Sequence, residues 1–129
     1  MLNSRTGVDT LLCIDDQTYA QAIRVEWLRA HGYTVLVAGS IESALDASLT
    51  SPIDAAVLDC HMTGADLLAT LLKRIRPGLP VIMLASYCGL PCHLASVVTA
   101  CLGRSESPVA LLHRLRTILN TGDSGKTAA

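Results

Sequence analysis

A chain of 129 residues is the size of one domain and buries roughly two-thirds of the surface its unfolded form exposes. Half of its residues are hydrophobic, but only 3 % are aromatic and Phe is absent, so the core has to be built from Leu, Val, Ile and Ala, a composition that suits helices packed on a sheet. Ten basic and eleven acidic residues are mixed along the chain for a formal charge of −1, which leaves no basic stripe for a phosphate backbone and argues against nucleic acid as a direct partner.

The opening "MLNSRTGVDT" lacks the charged and apolar regions of a secretory signal, and no apolar run approaches the length of a membrane span. A cytoplasmic protein with no membrane partner is expected, with residues 1–9 as an extension ahead of the first element. The first strand is "TLLCI" (10–14), and it runs into Asp15 and Asp16. Ala20, Ile23, Trp27 and Leu28 then recur at helical spacing, and Gly32 stands after Ala30 and His31 where a helix should stop. "YTVLVA" (33–38) is a second strand, and Ser40 can cap a helix carrying Ile41, Ala44, Leu45 and Leu49.

"IDAAVLD" (53–59) reads as a third strand, followed by a helix with Leu68, Leu71, Leu72 and Ile75. The fourth strand is "PVIMLAS" (80–86) and the fifth "VVTACLG" (97–103). The helix between them is the weakest, because "YCGLPCHLASVV" begins with turn residues and offers only Leu94, Val97 and Val98 as an apolar face. Ser107 and Pro108 open a last helix that carries Val109, Leu112, Leu115 and Leu119 inward. The tail "NTGDSGKTAA" has no apolar anchor, so residues 121–129 are expected to be disordered.

Strands this rich in Val, Leu and Ile, without alternation, are those of a parallel sheet covered on both faces. Repeated strand–helix units connect by right-handed crossovers. The fold class is therefore α/β, a flavodoxin-like doubly wound (βα)5 with a five-stranded parallel sheet over residues 10–120, and there is no room for a second domain.

In open parallel sheets the chemistry collects outside the carboxyl ends of the strands, where the winding reverses. Asp15 and Asp16 leave the first strand and Asp59 ends the third, so three carboxylates converge on one edge. Such a cluster repels itself unless a cation holds it. Mg2+ suits, since it takes oxygen ligands and is commonly held by one or two carboxylates with a phosphoryl group. One Asp of the pair then binds the ion directly and the other through water or from the side. The plainer alternative is that the pair caps the following helix. Cys13, Cys60, Cys88, Cys92 and Cys101 are expected to be reduced thiols. Cys88, Cys92 and His93 offer a partial metal site without an evident fourth ligand.

With these residues in view, the chain resembles the receiver domain of two-component response regulators. "LLCIDD", "IDAAVLDCHMTG", "LPVIML" and "SPVALLHRLRTIL" carry the resemblance, which runs from about Thr10 to Leu119. It implies that Asp59 is the phosphoacceptor, that Asp15 and Asp16 bind Mg2+, and that the backbone carbonyl of His61 completes the protein's ligands. The implied chemistry is transfer of a phosphoryl group from a phosphohistidine on a sensor histidine kinase or phosphotransfer protein to the Asp59 carboxylate.

The family pattern is broken in its signal-reading half. Its Thr or Ser at the end of the fourth strand falls on Ala85, whose methyl cannot donate a hydrogen bond. Ser86 replaces it only if the strand ends early or bulges. The family's Lys near the end of the fifth strand corresponds to Arg104, which keeps the charge but presents a wide planar fork. Arg104 can instead pair with Glu106. The switch aromatic corresponds to Cys101, and "HMTGADLL" is about two residues shorter than the family's loop, with Thr63 where Pro is usual.

Two readings follow. In one, a single-domain receiver takes a phosphoryl group on Asp59 and signals to a downstream protein through the face of helix four, strand five and helix five. In the other, a pseudo-receiver binds protein without phosphorylation, with Arg104 and Asp59 permanently paired. Neither is an enzyme: an aspartyl-phosphate phosphatase needs a second Asp where His61 stands, and no phosphate loop for a flavin follows the first strand. His31 and His113 read as solvated, and pairing of two copies is left open.

Overall fold

Runs of Leu, Val, Ile and Ala with no polar alternation belong between two covering layers, and the computed structural model places them there. It describes residues 9–85, 96–103 and 107–128, without the side chains of Thr18, Ala20 and 121–128. The elements are β1 (Thr10–Ile14), α1 (Thr18–Ala30), β2 (Thr34–Ala38), α2 (Ile41–Thr50), β3 (Ala55–Asp59), α3 (Ala65–Ile75), β4 (Val81–Ala85), β5 (Ala100–Gly103) and α4 (Pro108–Ala128). The fourth predicted helix lies mostly in residues 86–95, outside the described residues, so α4 is the last predicted helix. Of the three residues named for the fourth, Leu94 lies outside, while Val97 is half-buried and Val98 is buried against the sheet.

All strand pairs are parallel, in the order β2-β1-β3-β4-β5. The chain moves from β1 outward to β2 and then returns to the other side of β1, so the winding reverses between β1 and β3. Every residue of β3 and β4 is buried, as the sequence implies for central strands.

Alternation divides the core in two. Leu12, Ile14, Ala56, Leu58 and Met83 face Ala44 of α2 and Leu68 and Leu72 of α3. Leu11, Cys13, Val57, Ile82 and Leu84 face Val25 and Leu28 of α1 and Leu111, Leu115 and Leu119 of α4. Asp59 continues the second set, two residues after Val57, and Asp15 does so two residues after Cys13.

Local signals act as expected at several boundaries. The Ser40 hydroxyl accepts a hydrogen bond from the Ser43 amide at 3.1 Å, and the Ser43 hydroxyl accepts one from the Ser40 amide at 3.2 Å, a reciprocal cap for α2. Gly32 takes a φ of +97° after α1 and donates to the Arg29 carbonyl. Pro108 opens α4.

Four apolar residues assigned to inner helix faces point outward instead: Ile23, Leu49, Ile75 and Val109 are exposed. In α1 the inward line is Gln21, Val25 and Leu28, and Ile23 stands two residues, about 200°, from Gln21 and from Val25. Val109 has the same relation to Leu111 in α4, and Leu49 lies about 100° past Ser48 in α2. The backbone of α4 also continues past Leu119 to Ala128, where the sequence suggested disorder; once a helix is nucleated, each further residue adds a hydrogen bond at little cost. Among the described residues no helix is long and apolar enough to cross a membrane.

Candidate functional site

Asp15 leaves β1 with its backbone still extended, donating its amide to the Ala38 carbonyl of β2 at 3.1 Å. This holds its side chain on the face covered by α1, and the residue is only 2 % exposed. The Oδ1 atom accepts a hydrogen bond from the Gln17 amide at 2.9 Å. Oδ2 is buried with no hydrogen-bond partner and stands 3.5 Å from Nη1 of Arg24 on α1. Gln21, also on α1, donates Nε2 to the Asp15 carbonyl at 3.4 Å, while its own Oε1 is a second buried acceptor with no hydrogen-bond partner. Asp16 is exposed. Neither Asp occupies the N-cap of α1, which is Gln17 without a side-chain cap bond, so the capping alternative does not describe this pair.

Asp59 ends β3 one strand away. The register pairs Ile14 with Leu58 on one side and Asp59 with Leu84 on the other, which sets the two carboxylates on adjacent central strands at the reversal point. Asp59 is 1 % exposed, and its Oδ1 accepts a hydrogen bond from the His61 amide at 2.8 Å. The His61 ring turns back as well, with Nδ1 3.6 Å from the same oxygen and 3.7 Å from Cys60 Sγ. Cys60 is held by its amide, which donates to the Leu84 carbonyl at 2.8 Å, and the chain then turns through a Met62 amide bond to the Asp59 carbonyl.

Ala85 ends β4 opposite Gly103, one residue past the partner of Asp59, and is 7 % exposed, so a methyl occupies the position the resemblance gives to a hydroxyl. Cys101 lies in β5 opposite Met83 and is half-buried. Ser86, Arg104, Cys88, Cys92 and His93 fall outside the described residues.

Arg24 is the site residue that sequence reasoning missed. The signal was present: it shares the inward side of α1 with Gln21 and Leu28, three residues after the one and four before the other. Its charge answers part of the repulsion that the acidic cluster implies. A buried carboxylate oxygen without a hydrogen bond still calls for a partner, and the oxygens of Asp15, Asp16 and Asp59 are hard donors of the kind Mg2+ takes. In donor chemistry these residues fit that ion, although among the described residues the three carboxylates expected to converge do not all bring an oxygen within 4.8 Å of one another.

No family model matches the chain, and no curated protein does. Solved structures do. A receiver domain protein from Methanospirillum hungatei JF-1 superposes with a TM-score of 0.84 at 21 % identity, covering 92 % of this chain and 99 % of the other. The chain has the fold of a response regulator receiver domain. TrrA of Thermotoga maritima, solved in complex with Mg2+-BeF, shares this receiver fold with a TM-score of 0.76 at 21 % identity, over 87 % of this chain and 100 % of that one. A response regulator from Burkholderia pseudomallei, solved with a phosphorylated aspartic acid, a calcium ion and citrate, gives 0.74 at 19 % identity, over 92 % and 72 %. The receiver fold explains why Asp15 and Asp59 stand at the ends of neighbouring strands: its one reversal of winding falls between the strands that carry them.

Proposed function

We propose that this receiver domain accepts a phosphoryl group on Asp59 from the phosphohistidine of a sensor histidine kinase or phosphotransfer protein and passes the signal on by protein contact. The observation that carries the reading is the pair of buried carboxylates, Asp15 and Asp59, set side by side at the carboxyl edge of the two central strands. Burying two such groups is costly unless charge of the other sign is at hand. The ligands of the two solved neighbours, Mg2+-BeF on TrrA and a phosphorylated aspartic acid with calcium on the Burkholderia protein, support carrying this chemistry to the present chain.

Asp15, Asp59 and the carbonyl of His61 would hold Mg2+, with Asp16 reaching it from the exposed side. Bound there, the ion supplies positive charge against the oxygens of the incoming phosphoryl group. The His61 amide, by donating to Oδ1, fixes the rotation of the Asp59 carboxylate. A carboxylate oxygen of Asp59 forms the new P–O bond as the P–N bond of the phosphohistidine breaks and the imidazole leaves. Arg104 takes the place of the family's Lys. Output passes to a protein partner through the face of the fourth predicted helix, β5 and α4, in the cytoplasm, and the domain acts as a signalling module rather than an enzyme.

Intact mass after incubation with acetyl phosphate and Mg2+ tests this. The wild type is expected to gain one phosphoryl group, and Asp59→Asn none. Absence of an adduct on the wild type would replace this reading with the pseudo-receiver, which the buried methyl of Ala85 favours.

A further inference from the structure

We propose that Asp59, Cys60 and His61 form a second cation site, for a borderline-soft divalent ion of the Zn2+ kind, built on the phosphoacceptor itself. A carboxylate oxygen, a thiol sulfur and an imidazole nitrogen from these three residues all lie within 4.8 Å of one another. A tetrahedral ion at ordinary Zn–S, Zn–N and Zn–O lengths sets its sulfur and nitrogen ligands about 3.5 Å apart and its nitrogen and oxygen ligands about 3.3 Å apart. The corresponding separations here are 3.7 Å between Cys60 Sγ and His61 Nδ1 and 3.6 Å between His61 Nδ1 and Asp59 Oδ1. Two of the three ligand pairs thus stand within a few tenths of an ångström of the spacing the ion needs, and the third, Cys60 Sγ to the Asp59 carboxylate, lies within 4.8 Å and closes by side-chain rotation.

The backbone already holds the three residues in place. The Cys60 amide is tied to Leu84 of β4, and the His61 amide to the Asp59 carboxylate, so few rotations remain to be frozen on binding. The donor set chooses the ion. Mg2+ takes oxygen and keeps its waters, whereas a thiolate and an imidazole beside one carboxylate suit Zn2+ or Cu2+. Three protein ligands leave the fourth position open, on the side where the His61 ring is 44 % exposed. The Cys60 thiol gives its proton to solvent as the metal–sulfur bond forms.

Binding here occupies an oxygen of Asp59, so the soft ion and the phosphoryl group exclude one another. Only that consequence rests on the proposed function; the metal site does not.

Cobalt(II), a coloured stand-in for zinc, provides the test on the full chain. The wild type is expected to show a thiolate-to-cobalt charge-transfer band in the near ultraviolet, abolished by one equivalent of Zn2+. Cys60→Ser should remove the band, His61→Gln should weaken cobalt binding at least tenfold, and Cys88→Ser with Cys92→Ser should leave the band in place. Circular dichroism identifies any variant that fails to fold, and His61→Gln, at an exposed side chain, then carries the comparison. No band in the wild type, or a band that survives Cys60→Ser, overturns the proposal. An acetyl phosphate adduct without a cobalt band would sink this site and leave the proposed function standing; a cobalt band without an adduct would do the reverse.

Discussion

The Arg24 guanidinium lies 3.5 Å from the Asp15 carboxylate, and both side chains are largely withdrawn from water. Arginine here stands where sequence reasoning invoked a metal ion alone, and an ion at the proposed site would share its carboxylate. Arg24→Gln removes the fixed one and leaves Asp15 buried without it. We expect the variant to lose about 1–3 kcal/mol in the presence of a chelator. Millimolar Mg2+ should return part of the loss by binding the folded state, so the variant gains more from Mg2+ than the wild type does. Urea midpoints with EDTA and with Mg2+ decide it: an equal gain in both proteins would show that the ion and Arg24 do not act on the same carboxylate. Asp59 and Asp15 were legible as candidates because they end two strands whose boundaries the residues announce. Arg24 was not, because it lies on a helix whose inward side had been assigned through Ile23.

At the level of elements, the β3–α3 loop depends on one glycine. Gly64 has a φ of +81°, and a Cβ there would run into the side chain of Ile41 at the start of α2. Gly64→Ala is expected to cost about 1–2 kcal/mol from the left-handed backbone, with a smaller addition from the collision, since the atom it meets is the free Cδ1 end of Ile41. Chemical denaturation of Gly64→Ala, Ile41→Ala and the double variant separates the two terms. The double variant should be more stable than the sum of the single losses predicts, and strict additivity would mean that the backbone alone sets the cost. Strand positions were readable from composition, and the ends of α1 and the start of α2 from Gly32 and Ser40. The inward faces of the helices were less readable. In a chain half hydrophobic, Ile23, Leu49 and Val109 supply apolar residues off the packing line, and only the sheet beneath decides which stripe is used.

For the whole molecule, one thiol buried in a central strand adds a pH dependence to stability. Burial pushes the Cys13 thiol from 9.0 up to about 12, against the opposing pull of Arg24 and Arg29. The folded state therefore keeps a proton that the unfolded chain gives up. This contribution is complete below pH 9 and is lost progressively as pH rises from 9 towards 12, at about 1.4 kcal/mol per unit. Urea unfolding across that window should show a steeper loss for the wild type than for Cys13→Ala; parallel curves would mean that the thiol ionises without unfolding the sheet. The overall topology was legible because parallel, doubly covered strands have few ways to connect. The contact between Cys60, His61 and the Asp59 carboxylate was not, since the direction of a loop side chain depends on the turn that follows the strand.

The placing of β1 and β3 side by side at the middle of the sheet has a further effect. Strands flanked on both sides are the last to give way when a fold breathes, whereas marginal strands such as β2 and β5 fray first. Asp15 and Asp59 thus stand on strands that are held from both sides. The outer strands can therefore loosen and re-form while the two carboxylates keep their places.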